Sequence, residues 1–246
     1  MEDKDFTIRN GVLTIYKGKS SHVVIPNNVK VIDSYAFSDC TGMTSIEIPN
    51  SVTSISYSAF YGCENLTSIK IPNSVKIIGS SAFYGCENLT SIKIPNSVTK
   101  IGELAFYGCE NLASINIPDS ITFIDYSAFE GIKKVKPQYK SNGTLRAFKG
   151  FHSDWTCRGF KYKIGKSYHQ DGNIKCCENG FHACPNPLDV FNYYNGKLNN
   201  LRFAEVELSG EMDWKEDKVA ASDIRIVREL TLSELAEIYN SMEKEI

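Results

Sequence analysis

The sequence predicts a repeat solenoid of β-rich coils with a 23-residue period, followed by a small α+β domain. Three observations predict it. Ile-Pro recurs at Ile25-Pro26, Ile48-Pro49, Ile71-Pro72, Ile94-Pro95 and Ile117-Pro118, and Ala-Phe recurs at Ala36-Phe37, Ala59-Phe60, Ala82-Phe83, Ala105-Phe106 and Ala128-Phe129. Ser58–Val75 and Ser81–Val98 are identical letter for letter, so the units arose by duplication. After Gly131 the pattern fades, and from Thr144 no period remains, which marks a second domain of another kind. A fixed period of this size means stacked units that each touch mainly their neighbours. The expected division is a hairpin cap over 1–22, a solenoid of five repeats over 23–140, and an α+β domain over 141–246.

The elements follow in chain order. Phe6–Tyr16 alternates apolar and polar residues around Asn10-Gly11, a hairpin signal, and predicts a cap for the first coil, whose bare edge would otherwise expose apolar surface. In a typical coil, Leu66-Thr67-Ser68-Ile69-Lys70-Ile71-Pro72, the spacing of Leu66, Ile69 and Ile71 and the alternation from Ser68 predict a half-buried strand. Pro72 cannot donate to a ladder and ends it. Asn73-Ser74 turns the chain, Val75, Ile78, Ala82 and Phe83 point inward, and Gly85 permits a tight turn before Leu89. One such unit has too few apolar residues to close a core, so stacking is obligatory. Cys40, Cys63, Cys86 and Cys109 share one repeat position, which reads as a column of small apolar core residues kept reduced.

These residues resemble the BspA-like leucine-rich repeats, whose pattern I-P-x-x-V-x-x-I-x-x-x-A-F-x-x-C-x-x-L is met by Ile48–Leu66 and by the units on either side. The resemblance covers roughly the first 130 residues. It implies a curved right-handed solenoid with one strand per unit on the concave side, and a role in adhesion or protein recognition. Many members are secreted surface proteins. The concave positions expected to face a partner are Ser45, Ser68, Ser91 and Ser114 in one column and Glu47, Lys70, Lys93 and Asn116 in the next. They are short or of mixed charge, and no aromatic or arginine anchor stands among them.

In the second domain, Leu145–Lys149, Phe160–Ile164, Phe203–Leu208 and Ile224–Val227 read as strands. Asn186-Pro187-Leu188-Asp189 opens a short helix through Tyr194, because Asn caps, Pro suits the first helical position and Asp suits the first turn. Thr231-Leu232-Ser233-Glu234 is a capping box before a helix with Leu235, Ile238 and Met242 on one face. Ala147–Phe151, Cys157–Phe160, Gly165–Tyr168 and Gly180–Asp189 are similar to an uncharacterised domain of bacteria and their phages that is often joined to such repeats. That resemblance implies a chain moving between phage and host genomes and acting on a host protein.

Composition narrows the function classes. Net charge is −2, with 13 basic and 13 acidic residues up to and including position 140 and 14 and 16 after it. That leaves no electrostatic reason to expect a nucleic-acid or membrane partner. No apolar run approaches the ~20 residues of a membrane-spanning helix. The amino terminus, Met1-Glu2-Asp3-Lys4-Asp5, lacks the apolar stretch of a secretory signal, so a cytoplasmic location is expected.

Three chemistries compete for the second domain's residues. Cys157, His169, Cys176, Cys177, His182 and Cys184 lie within 28 residues but lack the paired knuckle spacing of a zinc site. Reduced core cysteines and a hydrogen-bonded histidine are the expectation, with no metal or other cofactor. Arg158, Lys161, Lys163 and Lys166 interleave with Phe160 and Tyr162, which on a strand puts the lysines on one face and the aromatics on the other. The order of elements is loosely similar to ADP-ribosyltransferase-like folds, in which Arg158 and Glu229 would take the arginine and glutamate roles. The Ser-Thr-Ser element of those enzymes is replaced by His182-Ala183-Cys184. The expected function is a non-enzymatic protein–protein interaction module in which the repeats present a C-terminal recognition domain. An NAD-dependent ADP-ribosyltransferase-like enzyme is the alternative.

Overall fold

The 23-residue period becomes a physical repeat in the computed structural model, which describes residues 4–244. Met1–Asp3 of the charged amino terminus lies outside the described residues. The chain forms two compact units, the first running to Lys133 and the second starting at Lys134.

Each coil of the first unit carries the one strand implied by resemblance and a second, shorter strand in another sheet. A three-residue strand recurs at His22–Val24, Ser45–Glu47, Ser68–Lys70, Ser91–Lys93 and Ser114–Asn116, and these pair in parallel as a five-stranded sheet. Equivalent residues face each other: Ile46 pairs with Ile69, Ile69 with Ile92, and Ile92 with Ile115. A two-residue strand recurs at Val31–Ile32, Ser54–Ile55, Ile77–Ile78, Lys100–Ile101 and Phe123–Ile124, also parallel and in register. The second ladder was not expected because two residues are too few to show an alternation. The fold closes around aliphatic columns and a column of phenylalanines. The rings of Phe37, Phe60, Phe83, Phe106 and Phe129 are buried and stack at 5.1, 5.3, 5.3 and 5.6 Å between centroids.

The Ala-Phe arc of each coil is tied to the next by backbone hydrogen bonds: Phe60 N–H donates to Ala82 O and Gly62 N–H to Tyr84 O, both at 2.8 Å. The turn after the arc needs a left-handed residue, and Asp39, Gly62, Gly85, Gly108 and Gly131 supply it with φ of 56°, 65°, 68°, 70° and 74°. At the amino-terminal end Phe6–Arg9 and Val12–Tyr16 form the Asn10-Gly11 hairpin, and Val12–Leu13 pairs in parallel with Val31–Ile32.

The second unit is built on a long hairpin, Leu201–Lys215 with Lys218–Leu230. Leu145–His152 pairs antiparallel with the first arm, and Ser167–His169 and Phe181–Ala183 pair with the second, within a six-stranded sheet. One face buries Leu145, Ala147, Phe151, Val206, Leu208, Ile224 and Ile226. The capping-box helix spans Leu232–Ser241: Glu234 N–H donates to Thr231 Oγ1 at 3.2 Å, and Thr231 N–H donates to Glu234 Oε2 at 2.8 Å. It packs against the expected short helix, which is of the 3-10 type, spans Pro187–Asn192 and stops before Tyr194. Asn186 Oδ1 still caps it by accepting from Leu188 N–H. The expected strand over 160–164 stops at Lys161. Tyr162 is buried while Phe160 and Ile164 are exposed, so the predicted common face of those three residues does not exist.

Candidate functional site

The positions singled out on the repeats lie on the five-stranded sheet. Glu47, Ser68, Lys70, Ser91, Lys93 and Ser114 are exposed, while Ser45 and Asn116 are half-buried. Parallel register sets Ser45, Ser68, Ser91 and Ser114 in one column, with Glu47, Lys70, Lys93 and Asn116 in another. Ser45 Oγ is 2.8 Å from His22 Nδ1, and Glu47 Oε1 is 3.4 Å from His22 Nε2. Asn116 Oδ1 is buried and finds no hydrogen-bond partner among the described residues.

The arc that carries Ala-Phe presents a different surface. Tyr61, Tyr84 and Tyr107, one step past the three middle Ala-Phe pairs, stack at 4.9 Å from ring to ring. Tyr35 and Tyr57 meet edge to face at 5.3 Å, and both are exposed, as is Tyr126. All six tyrosines of the coils lie on this arc. Over residues 33–43, 56–66, 79–89, 102–112 and 125–132 the arc contains eight carboxylates and no Lys, Arg or His. Glu64, Glu87 and Glu110 form an exposed column three residues beyond the stacked tyrosines. This face lies outside the strand alternation, and its signal in the sequence is the tyrosine after the three middle Ala-Phe pairs.

The second unit holds a cleft of about 740 Å³. Lys149, on the strand Leu145–His152, lines it and is almost fully buried. Its Nζ donates to His182 O at 2.8 Å and lies 5.7 Å from the Phe151 ring centre and 5.9 Å from that of Tyr162. Burial pulls the Lys149 pKa below the lysine range, and Cys157 beside it works in the opposite direction. Cys157 Sγ is 3.1 Å from the Tyr194 hydroxyl. The Tyr194 ring lies flat on Gly150, where a Cβ would stand 2.3 Å from it, so the strand must be bare there.

His182 Nε2 accepts the Cys177 N–H at 2.8 Å, which fixes it as the unprotonated nitrogen. Burial, then the charges of Arg158, Lys149 and Lys218, push the His182 pKa down to about 4. Lys218 Nζ sits 4.4 Å from the centre of the Tyr193 ring, whose hydroxyl donates to Asp217 Oδ1. Arg158 stands at a left-handed turn with Gly159, at φ of 49° and 77°. Every other arginine of this unit is ion-paired: Arg146 and Arg228 with Glu205, Arg202 with Glu229, Arg225 with Glu207. Arg158 has no carboxylate within ion-pair distance among the described residues.

Glu229 is not among the cleft-lining residues, so Arg158 and Glu229 do not meet there. His169 leans on Asp223 at 2.8 Å and Asp171 at 3.2 Å. All eight cysteines are free thiols. Among the described residues no three His, Cys, Asp or Glu side chains gather as a metal site. No helix among them is long and apolar enough to cross a membrane. Lys161 and Lys163 are exposed but belong to no continuous strand.

Two families match along the chain. Residues 9–136 match the BspA type Leucine rich repeat region in six copies, and residues 145–238 match a domain of unknown function, DUF7666. A leucine rich repeat protein of T. pallidum is 28% identical over 55% of this chain and 69% of its own, with a TM-score of 0.51. A leucine-rich repeat protein from Bacteroides ovatus is 37% identical over 46% of this chain, with a TM-score of 0.42, and the match spans 30% of its length. A leucine rich cell surface protein from Faecalibacterium prausnitzii is 27% identical over 54% of this chain and 46% of its own, with a TM-score of 0.43. No curated protein matches the chain.

Proposed function

The chain belongs to the BspA-type leucine-rich repeat family, and on that premise we propose that it is a non-enzymatic protein–protein interaction module. Its solenoid docks a basic, extended segment of a partner protein on the Ala-Phe arc. One observation carries this reading: the arc bears all six tyrosines of the coils, and its only charged residues are carboxylates. Tyrosine gives large contact area at low entropy cost, and its ring face attracts lysine and arginine. The glutamate column adds a complementary field. The serine and lysine columns of the five-stranded sheet, including Lys70 and Lys93, offer no comparable anchor.

The second unit is read as a recognition domain carried by this scaffold. A host protein met by a phage-borne chain is the partner that the resemblance of that unit suggests. A reducing, cytoplasmic setting is part of the same proposal. It is supported by the buried thiols of Cys63, Cys86 and Cys109, each donating a hydrogen bond that a disulfide would abolish.

The test uses the full chain and a labelled twelve-residue peptide alternating Lys and Arg with Ser. Fluorescence anisotropy is expected to show salt-sensitive binding that falls at least tenfold in the Tyr61→Ala/Tyr84→Ala/Tyr107→Ala variant. Lys70→Glu/Lys93→Glu should not weaken it. Equal binding by the triple variant, or none by the native chain, would remove the arc as the docking face. Release of nicotinamide from NAD by the protein would favour the transferase alternative instead.

A further inference from the structure

We propose that the cleft of the second unit binds a nucleotide, with Arg158 and Lys218 taking the phosphates and the exposed ring of Phe160 stacking on the base. This goes beyond the docking reading, since it concerns another unit and a small ligand.

The first ground is uncompensated charge. The arginines elsewhere in this unit are matched by glutamates, yet Lys149, Arg158 and Lys218 line one cleft with no carboxylate within ion-pair distance among the described residues. The carboxylate that does line the cleft, Glu178, is paired with Lys175 at 2.5 Å, and nearby Asp217 accepts from Asn192 and Tyr193. All three cations line the cleft together with His182, and Lys149 Nζ donates to the His182 carbonyl at 2.8 Å. Three positive side chains lining one cleft suit a polyanion better than a single carboxylate, and Arg presents the forked donors that phosphate oxygens match.

The second ground is the aromatic wall. Phe160 is 45% exposed, although Tyr162 and Tyr168 hold its ring edge to face at 4.7 and 5.2 Å. A large, exposed apolar ring held by its neighbours and lining the cleft suits a planar partner. At about 740 Å³ the cleft falls within the size range of small-molecule sites.

The test is calorimetry on the full chain with four separate probes: ADP, adenosine, inorganic phosphate and a single-stranded oligonucleotide. ADP should bind, with adenosine and phosphate each at least tenfold weaker. Arg158→Ala and Lys218→Ala should each weaken ADP about tenfold or more, and Arg158→Lys should restore part of the loss. Phe160→Ala should weaken ADP and adenosine while leaving phosphate unchanged. In the native chain, ADP should move the His182 titration upward by NMR, a readout that does not depend on a variant folding. The proposal falls if ADP gives no heat at millimolar concentration, if phosphate alone binds as well as ADP, if the oligonucleotide binds and ADP does not compete, or if His182 is unmoved. The tyrosine triple variant of the solenoid should bind ADP normally, so failure of one reading leaves the other standing.

Discussion

Cys63 Sγ donates a hydrogen bond to the carbonyl of Phe37, 26 residues back in the chain, at 3.1 Å. The same bond recurs one coil later from Cys86 to Phe60 at 3.3 Å, and again from Cys109 to Phe83 at 3.2 Å. The thiol thus ties each coil to the one before it, a role beyond filling space.

That arrangement predicts a sharp contrast in thiol chemistry. Burial raises the thiol pKa of Cys63 and Cys86 and brings Cys109 to about 12, so the nucleophilic thiolate is scarce at neutral pH. Cys177 is exposed, and Lys218 lowers its pKa. Brief alkylation at pH 7 followed by peptide mass spectrometry should label Cys177 first and leave the three column cysteines unmodified until the protein is unfolded. Early labelling of Cys86 would contradict the stacked core.

The phenylalanine column should dominate solenoid stability. Phe83 is fully buried between Phe60 and Phe106 at 5.3 Å on either side. Phe83→Ala removes a ring that the close-packed coils on either side cannot replace, and should cost roughly 3–5 kcal/mol by urea unfolding. Phe83→Leu should cost clearly less. A loss under about 1 kcal/mol for the alanine variant would mean that the coils collapse onto the gap.

A backbone prediction separates conformation from space. Gly85 has φ of 68°, and a Cβ there would meet only Gly62 Cα and N, at 3.8 and 3.9 Å. Room exists, so the cost of substitution is that of the left-handed backbone. Gly85→Val should destabilise by about 1–2 kcal/mol or more. Gly85→Asp should cost less, since Asp39 already occupies the equivalent place at φ of 56°. Equal losses in thermal unfolding would point to a steric cause instead.

Two histidines of the second unit should titrate in opposite directions. His182 is pulled to about 4 by burial and by the cations around it, whereas hydrogen bonds to Asp223 and Asp171 raise His169. The depressed His182 favours folding with the ring neutral; that contribution is lost as pH falls from the unfolded value of about 6.5 toward 4. The raised His169 stabilises below about pH 6.5 and loses its contribution as pH rises through its folded pKa. Two-dimensional NMR of the imidazole nitrogens across pH 3–9 reads both. Titration of the two rings together near 6.5 would refute the assignment.

How much of this the sequence reveals depends on periodicity. The coils, the Asn10-Gly11 hairpin and the Thr231–Glu234 capping box are legible because each rests on spacing within a few residues. Tyr61, Tyr84 and Tyr107 are equally periodic, but they lie outside the strands and so outside any alternation. The second unit is harder. Val219–Ser222 is buried without alternating, so the strand Lys218–Leu230 shows only its Ile224–Val227 stretch. The cleft joins Lys149, Arg158, His182 and Lys218 from separate segments, and no spacing announces that meeting.

The in-register pairing of equivalent residues also bears on how such a chain can change. Because Ile69 faces Ile92 as Ile46 faces Ile69, excising or adding one whole 23-residue segment would re-form the same ladders across the new junction. Such an event would leave the interior untouched and alter the reach of the outer stripe of tyrosines and glutamates by about 5 Å per segment. Recombination between near-identical stretches could therefore tune how long a partner sequence is gripped, without any new residue being invented.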